Sequence, residues 1–179
     1  MESATQASLP FSALLLDTNV WLDYYLATRA GHQTACALIE RACASDVELL
    51  YTVGGSKDLY YLVALYFKRA ARAAATKDAT GSGELSPEQG QAAARAAWAC
   101  VDHLDEIATA VGCDQSDIWM ARKQRKLHPD YEDDLVIAAT LHARGACLVT
   151  SDAQLIAHAP VAALSPADAL AYLECGTEV

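Results

Sequence analysis

Carboxylates stand at three places in this sequence where they could do chemistry. Asp17 follows the apolar run Leu14-Leu15-Leu16, Glu132-Asp133-Asp134 opens a later amphipathic stretch, and Asp152 follows Leu148-Val149-Thr150-Ser151. Each has a structural use by itself: an Asp after a strand makes an Asx turn, and acids in the first turn of a helix are favoured by its dipole. Gathered in one crevice they repel one another, an arrangement that is unfavourable unless a cation neutralises them. No His or Cys stands at ligand spacing beside them, and a set of oxygen ligands selects Mg²⁺ or Mn²⁺ over zinc. Gly54-Gly55-Ser56-Lys57 lacks the spacing of a phosphate-binding loop and is discounted.

The elements that must position these acids are read from the apolar pattern. Residues 12–17 and 146–150 are short buried strands, ending on Asp17 and at Ser151-Asp152; 47–52 is a further strand and 161–164 an edge strand. Gly54-Gly55-Ser56 reads as the break before a helix over 57–75. Helical patterning also covers 33–43, resumes after Ser86-Pro87 and runs through 110, covers 116–126 and 132–143, and returns in a terminal helix capped by Ser165. The polar stretch 76–90 is an exposed loop that contains the Ser86-Pro87 helix start.

Strands separated by helices pair in parallel through right-handed crossovers. The expected fold is α/β: a three-layer α/β/α sandwich around a central, mainly parallel sheet of four to five strands. Ligands of such sheets bind beyond the carboxyl ends of the strands, where Asp17 and Asp152 fall. A length of 179 residues suits one domain over 1–179, with residues 1–10 expected to be flexible.

Composition narrows the function classes. With 53% hydrophobic and 20% charged residues the chain can bury a core, which argues against overall disorder. It has no run of apolar residues long enough to span a bilayer and no basic start before its first apolar stretch, so a cytoplasmic protein is expected. Six cysteines without any C-x-x-C pair disfavour a zinc ribbon or a disulfide framework and read as reduced, buried thiols. The five histidines lack neighbours at metal spacing. A net charge of −10 argues against general nucleic-acid affinity, yet the bases cluster: Lys68, Arg69 and Arg72 form one group, Arg122, Lys123, Arg125 and Lys126 another. Tyr24, Tyr25, Tyr60, Tyr61 and Tyr66 read as core or dimer contacts, and a homodimer is expected.

The stretch Leu14-Leu15-Leu16-Asp17-Thr18-Asn19-Val20-Trp21-Leu22-Asp23 resembles the opening of a PIN domain. Glu132-Asp133-Asp134-Leu135-Val136-Ile137-Ala138-Ala139 is similar to its later acidic helix, and Leu148-Val149-Thr150-Ser151-Asp152 with Leu155 to its closing strand and acid. The resemblance covers nearly the whole chain. It implies a metal-dependent endoribonuclease in which three or four acids hold one or two Mg²⁺ or Mn²⁺ ions. The cation would lower the pKa of a water that attacks phosphorus in line, and the products implied carry a 5′-phosphate and a 3′-hydroxyl. Many bacterial members are toxins of toxin–antitoxin pairs, so RNA is the implied substrate and a small antitoxin protein the implied partner.

Carried over residue by residue, Asp17 matches the first metal ligand and Asn19 the polar residue that orients it or the phosphate. Asp152 matches the last acid, with the hydroxyls of Thr150 and Ser151 beside it. Aligning on Ile-Ala-Ala selects Asp134 as the third acid, and aligning on a Glu-Asp-Asp-Leu form selects Asp133; both are carried as ligands. The commoner pattern puts a Glu on the helix after the second strand, where this chain has Asp58 beside Lys57; Glu40 is a weaker substitute. Lys57 or the 122–126 cluster would hold the RNA backbone. Two rival readings exist. A phosphatase with an aspartyl nucleophile needs a second Asp where Asn19 stands, which speaks against it. A catalytically degenerate PIN-like module acting through protein contacts stays open, given the acidic net charge and the unusual second acid.

Overall fold

Leu14, Leu15 and Leu16 are each at most 2% exposed, so the first strand, β1 (Ala13–Leu16), is buried on both faces and reads as an unbroken apolar run. The computed structural model describes residues 11–77, 85–125 and 130–175. After β1 come helices α1 (Thr18–Tyr25) and α2 (His32–Ala44), strand β2 (Glu48–Thr52), and the long helices α3 (Val53–Lys77) and α4 (Pro87–Ile107). Strand β3 (Thr109–Val111), helices α5 (Gln115–Gln124) and α6 (Tyr131–His142), and strand β4 (Ala146–Val149) follow. The described chain closes with α7 (Ala153–His158), β5 (Ala163–Leu164) and α8 (Pro166–Cys175).

The five strands form one all-parallel sheet in the order β3-β2-β1-β4-β5. Alternate residues of β1 feed two cores, as the two-residue period of a strand requires. Leu14 and Leu16 join Val20, Leu38, Leu59, Leu104 and Leu173 from α1, α2, α3, α4 and α8. Ala13 and Leu15 join Ile137 of α6 and Leu155 of α7 on the opposite face. The result is the three-layer α/β/α sandwich. Leu16 lies level with Val149 and Leu15 with Leu50, so the register sets Asp17, Thr150 and Thr52 side by side at one end of the sheet.

The structure differs from three local expectations and adds one helix. Gly54-Gly55-Ser56 is not a turn before α3 but its first turn, because Thr52 Oγ1 accepts the Gly55 N–H at 2.9 Å and starts the helix early. Helical structure does not run through 110: α4 stops at Ile107, and the next residues pair with β2 as β3. An apolar run without Gly or Pro carries no stop signal, and pairing with β2 decides the outcome. Helix α7, unread in the sequence, is nucleated by Asp152, whose Oδ1 accepts the N–H groups of Gln154 and Leu155. All six cysteines are free, but Cys147 alone is buried; Cys43, Cys113 and Cys175 are exposed.

The stretch 76–90 is bounded by α3, which reaches Lys77, and by α4, which opens with Ser86 in a capping box with Gln89. Residues 78–84 of that stretch, residues 1–10 and Lys126 lie outside the described residues. Among the described residues no helix is long and apolar enough to cross a membrane.

Candidate metal centre

The centre is built from the backbone outward at the carboxyl ends of β1 and β4. The Asp17 N–H donates to the Val149 carbonyl at 2.9 Å, continuing the ladder one step beyond both strands. Thr150, fully buried, donates its hydroxyl to Asp17 Oδ2 at 2.7 Å and accepts from Asn19 Nδ2 at 3.0 Å and from the Asp152 N–H at 3.1 Å. One donor and two acceptor sites are all a hydroxyl has, so Thr150 is saturated. Asn19 Nδ2 also donates to Asp17 Oδ2 at 2.6 Å, and Asn19 Oδ1 accepts the Ser151 N–H at 3.0 Å. The Thr18 N–H closes the set on Asp17 Oδ1 at 2.6 Å. Asp17, Asn19, Thr150, Ser151 and Asp152 are thereby tied into one rigid unit spanning two strands.

The other rim comes from the first turns of α3 and α6. Gly55 lets α3 start against α1: a Cβ there would stand 2.9 Å from Thr18 Oγ1 and 2.9 Å from Thr52 Oγ1. One turn on, Asp58 is half-buried and pairs with Lys57 Nζ at 3.1 Å, while Lys57 is 66% exposed. Asp130 caps α6 by accepting the Glu132 N–H at 2.9 Å, which sets three acids in the first turn. Glu132, Asp58 and Lys57 line a cavity of about 290 Å³ whose inner wall includes Gly55, Val111 and Val136.

Electrostatics shows which acids meet. Burial pushes the Asp17 carboxyl above its ordinary range, and the charge of Asp152 pushes it the same way; hydrogen bonds from Thr150, Thr18 and Asn19 oppose both. Glu132 is also raised, first by partial burial and then by the charges of Asp58, Asp17, Asp130 and Asp133. Both shifts run toward the protonated form, and in both burial is the first cause. Among the described residues, Lys57 is the one cation within ion-pair distance of any of Asp17, Asp58, Glu132 and Asp152.

Asp17 therefore feels the charge of Asp152, and the charges of both Asp17 and Asp58 are felt by Glu132, which the sequence reading left unassigned within its own acidic run. Asp133 is half-exposed beside it. Asp134 is 2% exposed, on the inward side of α6 with Ile137 and Ala138. The signal that could have found Glu132 is helical phase: two residues before the buried Asp134 lies about 200° of rotation, which turns Glu132 away from the core. Glu40 is exposed on α2, where its charge is felt by Tyr24 and Cys36. Asp23, one turn after Asn19, is buried with its own cation, Arg29, and accepts from the Ser151 hydroxyl at 3.5 Å.

A second cluster lies across the cavity wall. Asp114, Asp117 and His142 have ligand atoms within 4.8 Å of one another. A capping box accounts for the two acids: Asp114 accepts from Ser116 and Asp117, and Asp117 Oδ2 accepts the Asp114 N–H at 2.9 Å. Asp117 Oδ1 faces His142 Nδ1 at 3.4 Å. Of the basic groups, Lys123 stacks on the exposed Trp119 ring at 3.5 Å on α5.

The PIN domain family model fits residues 13–154. A comparison with curated proteins returns no match.

Proposed function

From a chain that belongs to the PIN-domain family, whose members are generally metal-dependent nucleases, we propose a metal-dependent endoribonuclease that hydrolyses RNA phosphodiester bonds with Mg²⁺ or Mn²⁺. The observation that carries the proposal is the run of charge coupling from Asp152 to Asp17, from Asp17 to Glu132 and from Glu132 to Asp58, with Lys57, among the described residues, as the one cation paired to any of them. The donor set fits a hard divalent ion: it is all oxygen, it is partly desolvated, and it holds excess negative charge that a cation relieves. Asp17, Glu132 and Asp152 would hold the ion, with Asp58 and Asp133 at its edge.

Bound there, a divalent ion supplies an activated water and stabilises charge on the phosphate oxygens. The chain's own residues do the rest. Asn19 and Thr150 each donate a hydrogen bond to Oδ2 of Asp17 and are joined by a third bond to each other, so that the carboxylate does not have to be ordered during the reaction. Lys57, largely exposed beside Asp58, is placed to hold a phosphate oxygen next to the acids. The cavity behind Asp58 and Glu132 offers apolar walls for a base or ribose adjoining that phosphate.

The test is cleavage of a mixed single-stranded RNA pool by the purified chain with Mn²⁺, with EDTA, and with Asp17→Asn in parallel. Cutting that needs Mn²⁺ and is lost in the variant is the expected result. A wild-type chain that neither cuts nor binds Mn²⁺ would leave a PIN-like module acting through protein contacts. In its finer form the proposal makes the chain the toxin of a toxin–antitoxin pair, with a small partner whose basic side chain covers the acids. Growth arrest on expression, relieved by the product of a neighbouring small reading frame, is the outcome that form requires.

A further inference from the structure

Helix α3 departs from the charge of the molecule that carries it. The chain has 13 bases against 23 acids, yet five of those bases, Lys57, Lys68, Arg69, Arg72 and Lys77, fall on α3 with Asp58 as its single acid. Lys57, Tyr61, Leu65, Arg69 and Arg72 recur at intervals of four or three residues and are all exposed, so they form one continuous ridge. Its near end is Lys57, beside Asp58 in the wall of the acidic cavity. At about 1.5 Å of rise per residue, its far end at Arg72 lies roughly 22 Å along the helix.

Two observations say what kind of ligand this ridge suits. Among the described residues no carboxylate stands within ion-pair distance of Lys68, Arg69 or Arg72. Between the charges sits an aromatic ledge. Tyr61, 63% exposed, meets Tyr60 edge-on at 5.3 Å, and Tyr60 packs at 5.2 Å on Trp98 of α4, itself 56% exposed. Positive charge for phosphates interleaved with flat rings for bases is the chemistry that holds an unpaired nucleic-acid strand.

We infer that the exposed ridge of α3 is the track along which the single-stranded RNA substrate lies on its way into the acidic centre, Arg69 and Arg72 holding its phosphates and Tyr61 stacking on a base. The inference rests on the ribonuclease reading and names where that substrate runs. A protein surface would explain the exposed Leu62 and Leu65 equally well, but it would not require the ridge to start at the acids. Continuity with Lys57 and Asp58 favours the strand.

The experiment measures binding of a fluorescein-labelled oligouridylate of about twelve nucleotides to the full chain carrying Asp17→Asn, so that the strand is not cut. Arg69→Ala with Arg72→Ala is expected to weaken binding about tenfold and to lower the slope of log affinity against log salt by about 1.4, roughly 0.7 per lost phosphate contact. Tyr61→Ala is expected to weaken it about tenfold with the salt slope unchanged. Alanine at exposed helical sites favours the helix, and Arg144→Ala, the loss of a single charge at the other end of the sheet, leaves affinity and slope as they were.

Unchanged affinity and slope in the double variant would overturn the track. So would intact RNA binding accompanied by loss of a dimer in sedimentation, which would assign the ridge to a second copy of the chain. Failure of the ribonuclease reading shows separately, as absence of Mn²⁺-dependent cutting by the wild type, and the binding measurement does not depend on it.

Discussion

The hydroxyl of Thr150 donates to Oδ2 of Asp17 at 2.7 Å, joining side chains 133 residues apart at the ends of neighbouring parallel strands. That bond lowers the Asp17 carboxyl against the burial that raises it, so Thr150 helps decide whether Asp17 is ionised when a cation arrives.

Thr150→Val keeps the shape of the side chain and removes every contact of its hydroxyl. Asp17 loses a donor, and Asn19 Nδ2 and the Asp152 N–H lose an acceptor. A cost of about 1–3 kcal/mol in stability follows from leaving such groups unsatisfied. The acidic limb of the pH–rate profile should also move to higher pH, because Asp17 is then harder to ionise. Thr150→Ser should restore both. An acidic limb that stays in place in the valine variant would reduce Thr150 to a packing residue.

Glu132 gives a pH dependence opposite to that of a salt-bridged acid. Its carboxyl is raised in the folded state, so folding favours the protonated form. The penalty is absent below the ordinary value of 4.5 and is complete above the raised value. In EDTA, Glu132→Gln should therefore melt higher than wild type near neutral pH. The gain should be no more than about 2 °C, since the group is exposed and its repulsions are screened. It should vanish on acidification below about 4.5, the ordinary value. In Mn²⁺ the order should reverse, because the variant has lost a ligand. Melting curves across pH with and without Mn²⁺ check both, and a variant less stable than wild type in EDTA at neutral pH would contradict the repulsion.

Metal binding should stabilise the fold by mass action. At Mn²⁺ about 100-fold above its dissociation constant the gain is about 2.7 kcal/mol. For a domain of this size that is roughly 5–10 °C in melting temperature. Asp17→Asn should abolish most of the shift, whereas Asp114→Asn, in the capping box across the cavity, should keep it. If Asp114→Asn removes the shift and Asp17→Asn does not, the ion belongs with Asp114, Asp117 and His142.

Much of this was legible in the residues. Leu14-Leu15-Leu16 and Cys147-Leu148-Val149 are apolar on both faces, so they could be read as central strands, and each run leads to an acid. Parallel pairing then set Asp17 and Asp152 at the same end of the sheet. What stayed hidden was decided by contacts between distant segments. Nothing local distinguishes Thr109-Ala110-Val111 from the helix before it, and only the free edge of β2 makes it a strand. The choice within Glu132-Asp133-Asp134 depended on where α6 begins, since one residue of phase turns a side chain by about 100°. Net charge misled in a different way: an average of −10 over the chain conceals a helix with five bases and one acid.

Gly54 and Gly55 look alike in sequence and should respond oppositely to alanine. At Gly54 a Cβ meets nothing within 4 Å, and its φ is not positive. Gly54→Ala should thus be neutral or stabilise by about 0.4–1 kcal/mol, through the lower entropy of the unfolded chain. At Gly55 the added carbon lands 2.9 Å from the hydroxyls of both Thr18 and Thr52, and Thr52 cannot swing aside without giving up the Gly55 N–H. The first turn of α3 must then move away from α1, carrying Lys57 and Asp58 with it. A cost of about 1–3 kcal/mol is expected for that overpacking, together with a loss of cleavage larger than the stability change alone explains. Measured below the melting range of both variants, full cleavage by a folded Gly55→Ala chain would mean that Asp58 need not be held where α3 now holds it.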